Sequence, residues 1–261
     1  MTVVRVELAE RSYDIVIEAD LLARCAGRLA GLIAGRRVAV VTDGAVAGMY
    51  LSRLGSALDE LGVTWSSYEV EGGEQAKSFA GLEQLLDAML ADGIDRRCVL
   101  IAFGGGVVGD VGGFAAALLM RGIDLIQIPT TFLAQVDSAV GGKNAINTRQ
   151  GKNLVGSFLQ PLIVLNDVIL LESLPPGEMR AGYGEVIKCA LLSGETQFCW
   201  LEDNVDRILG HDAPAVIEAV RLGCETKARV VAEDERDHGQ RALVNLGHTF
   251  GHAIEAEQGY G

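Results

Sequence analysis

The stretch from Gly104 to Asn153 constrains this chain more than any other. An apolar run at 98–103 leads into Gly104-Gly105-Gly106, and a helical pattern follows over 107–120. A short apolar run before a glycine turn reads as a buried strand. A glycine turn from strand into helix lets backbone N–H groups approach a phosphate, and the helix N-terminus favours the negative charge. The spacing is not that of the dinucleotide fingerprint GxGxxG. The same glycines also suit a tight turn with close helix–sheet packing.

The flanks add chemistry. Asp110 lies in an otherwise apolar, glycine-rich helix, where a charge is rarely buried without a partner. Thr130 and Thr131 follow the apolar run 125–129, at the carboxyl end of a parallel strand, where ligands of open α/β sheets bind. Lys143, Lys152 and Asn153 follow among glycines, as donors to a phosphate or hydroxyl would.

The chain has 261 residues and a net charge of −13, from 22 Lys+Arg against 35 Asp+Glu. That balance argues against nucleic acid and anionic membrane as partners, and an anionic ligand needs a local basic pocket. The five cysteines, Cys25, Cys98, Cys189, Cys199 and Cys224, show no metal or CxxC spacing. With no signal-like apolar segment near Met1, they predict a reducing, cytoplasmic setting. The apolar pattern at 107–120 is too short to span a bilayer.

Segments 3–8 and 13–17 alternate apolar and polar residues and predict a hairpin. Asp20 is expected to cap a helix running to Ile33. Strands are expected at 37–42 and 65–70, with a helix over 46–61 between them. Asp43 then stands at a strand's carboxyl end, as a ligand contact or a simple turn residue. Ser78 is placed to cap a helix ending near Asp92. The alternation of strands and helices predicts a parallel sheet covered on both faces. A last strand is expected at 163–165. Helical patterns follow at 176–192, 195–209, 214–233 and 247–257. The boundary between an α/β domain, 1–167, and a helical one, 168–261, is set near Asp167.

Glu185 and Lys188 are three apart on a predicted helix and share a face, as a solvated ion pair would. His248 and His252, four apart, suit either a metal site or packed histidines.

These motifs resemble the 3-dehydroquinate synthase family, NAD- and metal-dependent cyclases of the shikimate pathway. The resemblance rests on Gly104-Gly105-Gly106-Val107-Val108-Gly109-Asp110, Pro129-Thr130-Thr131, Asp137-Ser138-Ala139-Val140-Gly141-Gly142-Lys143 and Gly151-Lys152-Asn153-Leu154. Gly182-Tyr183-Gly184-Glu185-Val186-Ile187-Lys188 and Asn245-Leu246-Gly247-His248-Thr249-Phe250-Gly251-His252-Ala253 extend it. It implies a Rossmann-like α/β domain followed by an all-helical domain that binds metal and substrate. NAD contacts are implied for Asp43, Glu74, Lys77, Gly105, Gly106, Val107, Asp110, Thr130 and Thr131. Asp137, Lys143, Asn153, Lys188, Lys227, Arg241, Asn245 and His252 match positions lining the substrate pocket. Of these, Lys143, Lys188 and His252 are the implied catalytic residues. Arg121 matches an arginine that reaches the neighbouring subunit's pocket, which implies a homodimer. Glu185 and His248 match two ligands of a zinc or cobalt ion.

The implied reaction cyclises a seven-carbon keto-sugar phosphate, 3-deoxy-D-arabino-heptulosonate 7-phosphate, to 3-dehydroquinate with release of phosphate. The chain departs from the family pattern in two places. Ala45 stands where an asparagine is usual. The family's third metal ligand, a histidine in a His-Gly-Glu segment, has no counterpart; His211 and His238 do not match it. About a quarter of a usual family member is therefore expected to be missing. With two ligands, zinc is expected to bind weakly or to recruit His252, with little or no turnover. Two alternatives remain: an inosose- or valiolone-type cyclase, and a non-catalytic NAD-binding fragment.

Overall fold

The computed structural model describes residues 1–236 and Leu246. Strands β1 (Thr2–Val6) and β2 (Tyr13–Glu18) form the expected hairpin. Helix α1 (Ala26–Ile33) follows, then β3 (Val38–Asp43), α2 (Gly44–Val46) and α3 (Ser52–Glu60). Next come β4 (Trp65–Val70), α4 (Phe79–Ala91), β5 (Val99–Gly104) and α5 (Gly106–Leu118). Strand β6 (Asp124–Pro129) leads to β7 (Lys143–Thr148), β8 (Gly151–Phe158) and β9 (Ile163–Asp167). Helices α6 (Pro176–Ser193), α7 (Glu195–Leu209) and α8 (Ala213–Glu233) complete the described chain.

Seven strands make one sheet in the order β1-β2-β9-β6-β5-β3-β4, parallel except for the β1–β2 pair. The central strands are apolar almost throughout, because both faces are covered. All six residues of β5 are buried. One face packs Val40, Ile101 and Ile128 against Leu29 of α1 and Leu58 of α3. The other packs Val41, Leu100 and Leu125 against Leu85 of α4 and Phe114 of α5. A third cluster joins Tyr13, Ile15 and Val164 to Val186 of α6, Leu201 of α7 and Val220 of α8.

The order also fixes where a ligand can enter. From β3 the chain moves outward to edge strand β4, then crosses back to build β5, β6 and β9 on the other side. The direction of winding therefore reverses between β3 and β5, and the crevice beyond their carboxyl ends is the expected ligand position.

Two local readings need correction, and one element is new. Asp20 does not cap a helix: its φ is 56°, and its carboxylate pairs with Arg53 at 2.7 Å. The helix starts later because a 3-10 turn, Leu22–Arg24, precedes it. The amide of Leu22 is held instead by Asp167, 2.9 Å away at the end of β9. The helix expected over 46–61 is divided by a π-helical segment, Ala47–Leu51. The glycine-rich segment after residue 142 forms a hairpin of its own, β7–β8.

Asp167 is buried, and its other oxygen accepts from Ile169 N–H at 3.1 Å. Each buried amide left unpaired costs about 1–3 kcal/mol, so Asp167→Ala should lower unfolding free energy by about 3 kcal/mol. Urea denaturation reads this directly, and a change below about 0.5 kcal/mol, the size of an ordinary surface substitution, would refute the capping role.

Candidate functional site

The crevice at the winding reversal gathers Asp43 from β3, the glycine turn from β5 and Thr130 from β6. The N-cap of α5 is Gly105, which offers no side-chain acceptor, and no acidic residue occupies the first turn. The first-turn amides are therefore available to an anion. Gly105 and Gly106 are partly exposed, as is Val107. Thr130 is buried, and its N–H donates to Gly104 O at 2.9 Å, which closes the crevice wall. The hydroxyl oxygen of Thr131 accepts from Ala134 N–H at 3.2 Å and starts the next turn. Asp43 caps α2 through one oxygen, Oδ1, which accepts from Ala45 and Val46 N–H at 3.0 Å. The turn reading of Asp43 thus holds. Its Oδ2 makes no hydrogen bond among the described residues and can accept from a diol.

The partner of Asp110 is Lys77. Their ion pair is 2.6 Å long, and the two side chains are 16% and 5% exposed. Lys77 also donates to Asn153 Oδ1 and lies 3.8 Å from Glu74. Burial pushes the Asp110 carboxyl above its ordinary range, against the opposing pull of the Lys77 ammonium.

A second group lies where α6 and α8 meet a π-helical segment, Ala134–Ser138. Lys227 on α8 donates to Asp137 Oδ1 and to its backbone oxygen, both at 2.6 Å. A Cβ at Gly223 would come within 2.9 Å of Val136, so only glycine lets α8 approach this closely. On α6 the Lys188 ammonium pairs with Glu185. Both residues are shielded, Lys188 at 8% exposure, so the pair is not the solvated one that spacing alone suggests. Cys189, next to Lys188, is buried, and burial pushes its thiol up to about 11. Ser193 on α6 and Thr226, next to Lys227 on α8, meet with their hydroxyls 2.8 Å apart, so the two ion pairs stand on helices in direct contact.

Lys143, Lys152 and Asn153 are exposed on the β7–β8 hairpin. Asn153 has φ 56°, a left-handed conformation that asparagine tolerates. Arg121 is exposed beyond α5, also with positive φ, 68°. Arg241, Asn245, His248 and His252 lie outside the described residues. Among the described residues no group of three or more His, Cys, Asp or Glu could hold a metal. Glu185 is the one proposed ligand whose position is described, and its carboxylate suits a divalent ion such as zinc.

Four participants escaped sequence reasoning. Gln135 is fully buried and donates to Pro129 O at 3.1 Å and Asp167 O at 3.0 Å, joining the ends of β6 and β9. Asn166 and Cys224 both donate to Gln135 O, at 3.1 and 3.3 Å. These bonds anchor the segment carrying Asp137. Asn147 joins the hairpin to the loop carrying Glu74. A polar residue inside an apolar run, Gln135, was the only local signal.

Asp110 supplies a pH test. A carboxyl whose folded pKa lies above its unfolded value stabilises below the unfolded value and loses that contribution as pH rises through the folded one. Lys77→Met should raise the carboxyl further and cost about 3 kcal/mol at about pH 7.5, shrinking toward about pH 4. Denaturation across that range measures it, and a loss independent of pH would contradict the pairing.

Comparisons with known proteins follow the same lines. Residues 67–181 match the 3-dehydroquinate synthase N-terminal family and residues 182–261 the 3-dehydroquinate synthase C-terminal family. The 3-dehydroquinate synthase of Rhodospirillum rubrum is 52% identical over 260 residues, all of this chain and 68% of that protein. A crystal structure of 2-deoxy-scyllo-inosose synthase with carbaglucose-6-phosphate, NAD+ and Co2+ superposes with a TM-score of 0.89 at 29% identity. It covers 98% of this chain and 69% of that one. The 2-epi-5-epi-valiolone synthase of Streptomyces hygroscopicus subsp. jinggangensis, with NAD+ and Zn2+ bound, gives 0.84 at 30% identity, over 94% and 68%. With both family halves matched in order, across the glycine turn and the lysine-bearing helices, this chain belongs to the 3-dehydroquinate synthase family.

Proposed function

We propose that this chain carries the NAD site, the substrate pocket and two metal ligands of a cyclase that converts 3-deoxy-D-arabino-heptulosonate 7-phosphate to 3-dehydroquinate and turns over once the family's third metal ligand is supplied; NAD is held within residues 1–167, metal by 168–261 and substrate by side chains from both. The observation that carries this reading is the adjacency of two unlike sites. An uncapped helix end and a carboxylate with one oxygen unused stand at the winding reversal. The segment that pairs with Lys227 abuts that helix end: a Cβ at Gly106 would lie 3.1 Å from Ser138 Oγ, and the neighbouring Asp137 holds Lys227. The first suits a dinucleotide, through pyrophosphate on the α5 amides and ribose on Asp43. The second suits a phosphorylated carboxylic acid in a chain that is otherwise acidic.

The NAD fit rests on the α5 N-terminus and on Asp43 Oδ2. The metal fit rests on the donor chemistry of Glu185, with His248 as the second ligand. When bound, NAD takes and returns a hydride and the metal polarises the oxygen at the carbon that is oxidised. The chain's own residues orient and neutralise. Lys188 and Lys227 meet the substrate's anionic groups, and each is kept in place by a carboxylate before substrate arrives. Asn153 and Lys143, on one hairpin, add a hydroxyl contact and a positive charge. His252 is assigned a proton-handling contact. The substrate's own phosphate can accept the proton as it leaves, so the protein's work is largely positioning. Arg121, exposed at the end of α5, is assigned to a neighbouring copy's pocket in a homodimer. Five free cysteines, four of them buried, suit a cytoplasmic setting. No described helix is long and apolar enough to cross a membrane.

Identity of 52% to a dehydroquinate maker, against about 30% to the inosose and valiolone cyclases, favours 3-deoxy-D-arabino-heptulosonate 7-phosphate as substrate. Phosphate release measured over a panel of sugar phosphates, on the protein extended by the segment that brings the third metal ligand, should be fastest with that substrate. Faster release from a hexose 6-phosphate or from another heptulose 7-phosphate would overturn the assignment. Asp43→Ala should weaken NAD binding in calorimetry by about tenfold or more, the worth of a charge-assisted hydrogen bond. Unchanged affinity would remove the ribose contact. Lys143→Ala should lower kcat/KM by about 10- to 100-fold and leave NAD affinity nearly intact. Equal loss of both would make Lys143 a cofactor or structural residue.

A further inference from the structure

Asn147 lies in neither proposed site, yet it joins them. It occupies a register shift in the β7–β8 ladder, between Ile146 and Thr148, where the strands lose their pairing. Bulges re-aim the groups of the residue that carries them. Here the freed Asn147 N–H donates to Lys77 O at 2.8 Å. Its side-chain Nδ2 donates to Glu74 Oε1 at 2.8 Å, and its Oδ1 accepts from Asn153 N–H at 2.9 Å. That last bond fixes the left-handed backbone of Asn153, whose own Oδ1 accepts from Lys77 Nζ. The bonds close a ring: Asn147 to Glu74, Glu74 beside Lys77, Lys77 to Asn153, Asn153 back to Asn147. Lys77 then reaches Asp110 on α5. The hairpin is itself seated on that helix so closely that a Cβ at Gly113 would lie 1.8 Å from Asn144 Oδ1.

We propose that Asn147 is a positioning residue that couples the substrate hairpin to the cofactor loop, so that NAD and substrate each tighten the other's binding. The inference rests on the assignment of Glu74 and Lys77 to NAD and of Lys143 and Asn153 to substrate. A ligand that orders the Glu74–Lys77 loop necessarily orders Asn147, which in turn holds the peptide of Asn153. Coupling between two sites is reciprocal, so the same factor is read from either side. Asparagine is suited to the position because it donates to a carboxylate with one end and accepts an amide with the other.

The test is calorimetry of a non-cleavable phosphonate analogue of the seven-carbon substrate, with and without saturating NAD. In the wild-type protein NAD should tighten analogue binding by about 5-fold or more. Asn147→Ala and Asn147→Asp should abolish that factor, the second because it sets a carboxylate against Glu74. Combining Asn147→Asp with Glu74→Gln exchanges amide and carboxylate, and should restore at least half of the factor. This exchange carries the test if the alanine variant does not fold. A merely structural residue would lower the melting temperature of the variants and leave the factor intact, and that result overturns the inference. So does absence of coupling in the wild-type protein. Wild-type protein that binds no NAD overturns both this inference and the functional reading beneath it.

Discussion

The ion pair between Lys77 and Asp110 is the contact on which the candidate site depends. A carboxylate in an apolar helix is costly to desolvate, and it is kept only where a partner and further hydrogen bonds compensate. Lys77 provides the charge, and Asn153 shares its ammonium. Three pieces of chain are thereby drawn together: the loop after β4, the helix after β5 and the hairpin after β6. Either residue alone would be a buried charge without compensation. Together they tie α5, which follows the glycine turn, to the loop and the hairpin.

The same logic recurs on the helical side. Lys227 and Lys188 are buried ammonium groups, each paired with a carboxylate from the region that faces substrate in the proposed function. Such pairs are poor contributors to stability but well suited to exchange, because an incoming anion replaces one carboxylate by another at little change in charge balance. An acidic chain can thus present a cationic pocket that is neutralised until it is used. The network of Gln135, Asn166 and Cys224 keeps the segment carrying Asp137 tied to the ends of β6 and β9. Stability and chemistry are in this way assigned to neighbouring but different side chains.

Much of the fold was legible in the sequence, for local reasons. Strand β4 and helix α7 occupy the residues predicted, 65–70 and 195–209; β4 carries the strand formers Trp65, Tyr68 and Val70, and in α7 Phe198, Leu201, Val205 and Ile208 recur at helical spacing. The strand–glycine–helix unit at β5 and α5 is equally direct. The β7–β8 hairpin was missed because its sequence is polar and glycine-rich, without the alternation that marks a half-buried strand. Asp20 was misread because a capping residue was sought next to the helix. The real acceptor, Asp167, is 145 residues away from Leu22. The candidate site divides in the same way. Its residues could be named from motifs, but their pairings could not: Lys77 and Asp110 are 33 residues apart, and Asp137 and Lys227 are 90 apart. Asn147 carries no motif and is recognised only through its long-range bonds.

In the proposed function the crevice between β3 and β5 is the dinucleotide site, and the Lys77–Asp110 pair forms its wall. A crystal structure of the protein grown with NAD tests it most directly. Pyrophosphate density is expected at the α5 N-terminus, within hydrogen-bond distance of Gly106 and Val107 amides, and a ribose diol on Asp43. Dinucleotide density elsewhere, for example in the groove between β4 and α4 lined by Tyr68 and Gln84, would contradict it.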